Sequence, residues 1–380
     1  MLQRSNINRK INCCRKEKTN TLLWIAQLNV MLKKLKTFIS VFALVLICAF
    51  ASTLESCKSC NSSKDLGIEE TSDTTLRAIN AKITAEPNNI AHYLERARYY
   101  SGLKKYAEAN ADIVRAKSID STKADIYFTA GKIHFDQQRV VEAYKDYQKC
   151  IEKDPQHKEG LLEKAAMDIA LNNYELALQQ INNVLRQDER VAYAYYLKGR
   201  LYRQVKDTTL ALSSYQTAIE VDPSYYDAYV EAGLVCASYG NPLAKEYYNS
   251  AIDLHPNFVE PYYNKAIFLQ ETGVKNPSNY QEALVCYDKI IGIDANFSAA
   301  YFNKGFVYLV YLKDFQKGIE SFNLALEKNP NYYQAAYNRA LCHEGKGDKT
   351  NAEADLNLAL KIKPDYTEAA VELGKLRGDN

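Results

Sequence analysis

The stretch ADIYFTAGKIHFDQQRVVEAYKDYQKCIEKDPQH, residues 124–157, reads as two amphipathic helices and a stop. In its second half Val140, Ala143, Tyr144 and Tyr147 recur at i, i+3, i+4 and i+7, which puts them on one apolar stripe of a helix. Gly131 and Ala143 are small, as close approach of two helices requires. Pro155 ends the second helix because it cannot continue the hydrogen-bond ladder. One helix pair cannot bury both of its stripes, so such a unit must stack on neighbours. Residues 192–225 repeat the arrangement with Tyr195, Gly199, Tyr202, Ala211, Tyr215, Ala218 and Pro223.

The spacing extends along the chain. Ala109, Ala143, Ala177, Ala211 and Ala244 are separated by 34, 34, 34 and 33 residues, and Ala283, Gly318 and Ala352 follow at 39, 35 and 34. Pro87, Pro155, Pro223, Pro256, Pro330 and Pro364 lie 68, 68, 33, 74 and 34 apart. A 34-residue period with these residue types resembles the tetratricopeptide repeat, and the resemblance covers about 300 of the 380 residues. It implies an all-α protein, a right-handed α-solenoid superhelix of about eight helix-turn-helix repeats. These span 90–366 and start near 90, 124, 158, 192, 226, 259, 298 and 333. An N-terminal half-repeat over 72–89 precedes them, and a capping helix over 367–380 follows. Three departures stand out. Repeat 3 has Leu161 and Glu189 where the pattern has an aromatic residue and proline. Repeat 5 loses one residue at Gly240-Asn241-Pro242, which predicts a tighter inner turn. Repeat 6 gains five around Val274–Ser278, which predicts a bulging loop, either a tolerated surface insertion or an irregularity of the superhelix.

The amino terminus has a different character. From Met31 the chain reads MLKKLKTFISVFALVLICAFASTLESC: Lys33, Lys34 and Lys36, then an apolar run from Phe38 to Ala51 broken by Ser40. That run is shorter than the roughly 20 residues a membrane-spanning helix needs and fits the h-region of a signal peptide over 31–56. Leu54, Ser56 and Cys57 resemble the lipobox of bacterial lipoproteins, with Glu55 departing from the usual small residue. The resemblance implies that Cys57 is lipidated and becomes the first residue of the mature chain. The alternatives are an uncleaved anchor, an ordinary signal peptide, or a metal or redox pair with Cys60. A zinc site would need two further ligands at similar spacing. Residues 57–71 read as a flexible, Ser-rich tether. Residues 1–30 are basic without apolar period and read as a mis-assigned upstream extension before a start at Met31, or else as a long cytoplasmic tail.

Composition narrows the function classes. Residues 1–56 hold nine of the 48 Lys/Arg and two of the 46 Asp/Glu, so the rest of the chain is mildly acidic and poorly suited to nucleic acid. Cys150, Cys236, Cys286 and Cys342 are scattered singly among helical residues, as small buried hydrophobes are. No G-x-S-x-G, H-E-x-x-H or complete Walker loop occurs. EGKGDKT at Glu344–Thr350 lies at a repeat's inner turn, where Gly and Asp are ordinary. The expectation is no enzyme, no cofactor, no metal and no small-molecule substrate.

By the resemblance, the first helix of each repeat lines a concave groove for a protein or peptide partner. Position 5 of those helices runs Leu94, Phe128, Leu162, Tyr196, Val230, Tyr263, Phe302, Tyr337, and position 6 ends with Asn264, Asn303 and Asn338. The candidate partner-binding residues are Phe128, Tyr196, Tyr263, Asn264, Phe302, Asn303, Tyr337 and Asn338. Their aromatic rings either meet a ligand or pack between neighbouring helices. The expected function is a membrane-anchored scaffold or adaptor in the bacterial cell envelope, with the outer membrane favoured because Lys58 follows the lipobox cysteine. The alternative is a regulatory or substrate-recruiting subunit of an envelope hydrolase or secretion machine.

Overall fold

The computed structural model describes residues 73–378. The segments expected as signal peptide (31–56), lipidated Cys57, tether (57–71) and upstream extension (1–30) lie outside the described residues, as do the last two residues of the chain. Among the described residues every element is helical. A lone helix α1 (Thr74–Ala85) is followed by eight antiparallel hairpins. These are α2 (Ile90–Gly102) with α3 (Tyr106–Ile119), α4 (Ala124–Asp136) with α5 (Val140–Lys153), α6 (Lys158–Ala170) with α7 (Tyr174–Gln187), and α8 (Ala192–Gln204) with α9 (Thr208–Val221). They continue as α10 (Tyr226–Ser238) with α11 (Leu243–Leu254), α12 (Val259–Thr272) with α13 (Ser278–Ile293), α14 (Ser298–Phe306) with α15 (Phe315–Lys328), and α16 (Tyr333–Gly345) with α17 (Lys349–Ile362). A lone α18 (Thr367–Arg377) closes the array.

Four of the hairpins are closed by a ring seated on a glycine. The buried ring of Tyr147 lies where a Cβ on Gly131 would be, and Tyr215 stands in the same relation to Gly199, Tyr248 to Gly233 and Phe322 to Gly305. Inner turns reverse through a left-handed residue at Lys104, Gln138, Asn172, Lys206 and Gly240, 34 residues apart each time, and again at Lys313 and Gly347. Outer turns are built on a side chain that caps the next loop. The Oδ1 atoms of Asp120, Asp154, Asp188, Asp222, Asp294 and Asn329 each accept from the backbone N–H two residues on, at 2.8–3.1 Å. Pro155, Pro223 and Pro330 directly follow three of these residues, whose extended backbone is the conformation a following proline demands. A tyrosine at position 4 of several first helices fastens the outer turn from above. The hydroxyls of Tyr93, Tyr127, Tyr262 and Tyr301 donate to the carbonyls of Pro87, Ser121, Pro256 and Ala295, six residues back.

Successive hairpins are also tied by a cation at position 7 of the first helix, which reaches the second helices on both sides. Arg96 donates to Asn80 on α1 at 2.9 Å and grips Asp112 on α3 with two bonds of 2.7 and 2.8 Å. Arg339 repeats this with Asn323 and Asp355, and Lys265 with Asn249 and Glu282.

The departures in length at repeats 5, 6 and 7 take distinct forms. The residue missing from repeat 5 falls where the turn enters the second helix: left-handed Gly240 and Ala244 are four apart where Lys206 and Ala211 are five apart, the Ala244 N–H donates three residues back to Asn241 where that of Ala211 donates four back to Asp207, and Pro242 precedes the first turn of α11 in helical conformation. Proline is tolerated there because that N–H has no intrahelical partner. The insertion in repeat 6 lengthens both helices and leaves Val274 largely exposed at the turn. The 35-residue gap from Ala283 to Gly318 is taken up within a helix. Val307–Leu312 forms a π turn at the end of α14, so Gly305 and Gly318 lie 13 apart where Gly131 and Ala143 lie 12 apart. No helix among the described residues is long and apolar enough to cross a membrane.

Candidate functional site

The first helices of adjacent hairpins pack on one another, as α2 on α4, α6 on α8 and α10 on α12, while the second helices make no comparably extended contact with each other. The first helices therefore form the crowded inner side of the array.

The five aromatic residues at position 5 share one environment. Each ring packs against the residue immediately preceding the next first helix: Phe128 on His157 at 5.2 Å, Tyr196 on Tyr225 at 5.3 Å, Tyr263 on Phe297 at 5.9 Å, Phe302 on Tyr332 at 4.8 Å and Tyr337 on Tyr366 at 5.3 Å between centroids. Burial pushes the phenols of Tyr196 and Tyr337 above their ordinary range. These rings are partly buried and join consecutive repeats. The sequence signal for the partners is an aromatic or histidine one residue ahead of a repeat, 29 to 34 residues downstream.

The three asparagines differ. Asn338 is only 8% exposed and donates its amide to the carbonyl of Gln334 on its own helix at 2.7 Å. Asn303 donates to the Tyr263 hydroxyl at 3.3 Å. The Asn264 amide nitrogen is buried and has no hydrogen-bond partner. It borders a cavity of 230 Å³ between α10, α11 and α12, walled by Leu234, Ala237, Tyr248, Tyr263, Ile267 and Phe268, with Glu271 at the edge. It is one of eight buried side-chain polar atoms without a hydrogen-bond partner among the described residues, and of these it is the one that belongs to a position-6 asparagine and borders this cavity.

A larger cavity of 640 Å³ opens on the inner side between α4, α5, α6 and α8. Phe135, Val140, Val141 and Leu171 contribute apolar surface that is 51–64% exposed, and Met167 contributes a buried thioether. Lys132, Lys145, Arg200 and Glu163 are the charged groups of the lining. None of the position-5 and position-6 candidates lines this cavity, whose most exposed apolar residues come from helix ends and a turn.

Cys150, Cys236, Cys286 and Cys342 are free and buried, and burial lifts the Cys150 and Cys342 thiols to about 12 and that of Cys286 to about 11. Thiols held that high carry almost no nucleophilic thiolate near neutral pH. Glu344–Thr350 forms the inner turn between α16 and α17, with Gly347 left-handed. Among the described residues no group of three or more His, Cys, Asp and Glu side chains could hold a metal ion.

Comparison with known proteins follows the same lines. Family models described as tetratricopeptide repeat match residues 124–157, 192–225 and 304–367. Human protein O-mannosyl-transferase TMTC3 is 24% identical over 320 residues, covering 79% of this chain and 33% of that protein. The human mitochondrial import receptor subunit TOM70 is 23% identical over 311 residues, covering 78% of this chain and 49% of that protein. The chain thus spans about a third to a half of the length of these relatives. Among solved structures, YrrB, described as a TPR protein with an unusual peptide-binding site, aligns at a TM-score of 0.42 and 22% identity, covering 50% of this chain and 96% of YrrB. With repeat models matching three stretches and helical hairpins running from residue 90 to 362, the described residues form an α-solenoid that carries tetratricopeptide repeats at 124–157, 192–225 and 304–367.

Proposed function

We propose that this protein is a membrane-anchored, non-catalytic scaffold of the bacterial cell envelope that holds an extended segment of a partner protein on its inner side at repeats 5 to 7. The observation that carries the reading is the Asn264 amide, unpaired beside a cavity that Tyr263 and Ile267 help to wall. A carbonyl of the partner backbone accepts from Asn264, and a partner side chain enters the cavity beside it. Asn303 holds the Tyr263 hydroxyl in place. Asn338 and Tyr337 act in this scheme through packing. Relatives named as an Hsp70-Hsp90 organizing protein and an import receptor subunit support an adaptor role. Attachment rests on Cys57 as a lipidated first residue of the mature chain, which places the array at the membrane, with the outer membrane favoured.

A photo-crosslinking amino acid placed at Asn264 in cells should trap a discrete adduct. The same group at Lys289, exposed on the second helix α13, should not. Equal trapping from both positions overturns the groove assignment. For the anchor, Cys57→Ala should abolish lipid labelling. A labelled Cys57→Ala chain, or an unmodified Cys57 inside a longer mature chain, refutes it.

A further inference from the structure

The two edges of the array differ in chemistry. Inner turns lie within repeats and outer turns between them, so each kind occupies its own edge. At the inner edge Leu103, Val141, Leu171, Val205, Tyr239 and Val274, one for each of repeats 1 to 6, are large apolar side chains 45–78% exposed. Among the described outer turns only Phe258 is comparably exposed, and its ring is stacked on His255 at 4.7 Å. Single exposed apolar residues are ordinary, whereas their concentration along one edge marks a surface that something covers.

Charge separates the edges in the same way. The inner turns of repeats 1 to 6 carry Lys104, Lys105, Arg139, Lys206 and Lys275, all exposed, against one acid, Asp207. The outer turns between residues 86 and 225 carry Glu86, Asp120, Asp154, Asp188, Glu189 and Asp222 against Lys123 and Arg190. Arg139 also bonds Glu142 in the first turn of α5 at 2.9 Å. Lys104 and Lys206 hold φ of 58° and 65°. A lysine there keeps its charge at the turn tip against a backbone preference that glycine would satisfy.

The path of the chain leads to the same edge. The Tyr99 hydroxyl, in the last turn of α2, donates to Asp73, the residue that caps α1. That bond and, more weakly, the Lys105 charge hold the Asp73 carboxyl below its ordinary value. The chain therefore enters the array at its inner-turn edge, beside the first inner turn. Cys57 stands 16 positions before Asp73, a reach of at most about 55 Å when fully extended.

We infer that the inner-turn edge of repeats 1 to 4 is a lipid-facing edge that lies on an anionic membrane surface. The inference rests on the membrane attachment proposed above. The turn cations meet headgroup phosphates. The apolar side chains beside them, Leu103 next to Lys104 and Val205 next to Lys206, enter the boundary between headgroups and acyl chains. These apolar groups are strung one per repeat rather than gathered in a concavity, which suits a broad fluid surface. An array docked by this edge leaves the first-helix side, with Asn264, for a protein partner.

The test uses the full chain reconstituted into phosphatidylcholine vesicles, with or without phosphatidylglycerol, whose lipids are brominated in the upper acyl chain. A genetically encoded fluorophore replaces Val205 at an inner turn or Ser224 at an outer turn, both exposed. With phosphatidylglycerol present, the probe at 205 should lose at least about half of its emission to the bromines, and the probe at 224 should lose none. Quenching should weaken as salt shortens the screening length from about 10 Å at 0.1 M to about 3 Å at 1 M. Lys104→Glu/Lys206→Glu should lower the ratio of docked to undocked edge at least about tenfold, with the circular dichroism of the parent chain retained. Lipid labelling of Cys57 is scored on the same samples, and any chain that floats with the vesicles reports the edge, whatever attaches it. Loss of the anchor and loss of the edge contact are thus separate results. The inference is overturned if both probes are quenched alike, if quenching ignores phosphatidylglycerol and the charge reversal, or if no chain floats with the vesicles. It is also overturned if the probe at 205 is shielded without lipid in a concentration-dependent way, which assigns the edge to a second copy of the chain.

Discussion

The contact between Gly199 and Tyr215 decides the sign of a substitution that is normally stabilising. In the middle of a helix, Gly→Ala gains about 0.5–1 kcal/mol. At Gly199 the added Cβ would stand 2.5 and 2.6 Å from the Cε1 and Cδ1 atoms of Tyr215, against an optimum of about 3.5–4.0 Å between carbons. The ring cannot yield easily, being 0% exposed and packed on Tyr196. Overpacking of this kind costs about 1–3 kcal/mol, so Gly199→Ala should destabilise by roughly 1 kcal/mol after the propensity gain is counted. Gly292→Ala on α13, where no atom lies within 4 Å of the new Cβ, should stabilise by up to about 1 kcal/mol. The strongest form of the experiment repeats Gly199→Ala in a Tyr215→Leu background. With the ring gone, the same alanine should become neutral or stabilising. Urea unfolding followed by circular dichroism gives the midpoints, and hydrogen exchange of α8 and α9 locates the effect, which matters because repeat arrays need not unfold in one step. A Gly199→Ala midpoint at or above that of the parent chain refutes the argument.

Other outcomes follow from contacts already described. Arg96→Met should cost about 3–5 kcal/mol by leaving the Asp112 carboxylate buried without its partner, and adding Asp112→Leu should restore much of it; thermal melting of the three chains checks this. Burial works to raise the Asp168 carboxyl, but bonds from Lys164, Asn173, Gln180 and Tyr144 outweigh it and hold the group below its ordinary 3.8. The stabilisation from Asp168 is therefore present above that value and lost as pH falls through the lower folded one, so Asp168→Asn should flatten the acid limb of a stability–pH profile below about 4. Gln138→Gly, at a left-handed position of φ +61°, should stabilise by about 0.5–1 kcal/mol, because other residues lose roughly 1–2 kcal/mol there and glycine returns part of that in entropy; a urea midpoint decides it.

The helical architecture was legible because its signals are local or periodic. Ala143, Ala177 and Ala211 recur wherever two helices must approach closely, and proline recurs just beyond the second helix, so a single reading frame of 34 fits most of the chain. The turns were less legible. Lys104, Gln138 and Lys206 adopt a backbone conformation for which glycine would have been the sequence signal, and they show nothing in composition that reveals it. The rings at position 5 were visible, but their partners His157, Tyr225, Phe297, Tyr332 and Tyr366 lie a whole repeat away, where only the stacking of hairpins brings them close. Equal-looking asparagines separated only in three dimensions: Asn338 turns to its own helix and Asn264 finds no partner. Part of the larger cavity follows the same period, since Lys132, Ala166 and Arg200 lie 34 apart, but Phe135, Val141 and Leu171 belong to three different elements that only the folded hairpins bring together.

The π turn at Val307–Leu312 bears on how such an array changes length over time. One residue inserted into an ideal α-helix rotates everything beyond it by about 100°, which in α14 would swing the end of the helix off α15 and α13 together. Widening a single turn absorbs the insertion before that rotation accumulates. The face beyond it still closes on the helix it must meet, and Tyr311 stacks on Tyr280 of the preceding repeat at 4.4 Å. Length drift and packing are thereby uncoupled at this point of the chain. A deletion of one residue within these six positions should therefore convert the π turn to α-helix and leave the packing of Tyr311 on Tyr280 in reach. A recombined array that joins repeat 7 to a 34-residue neighbour needs no compensating change elsewhere, provided that the junction falls outside the widened turn.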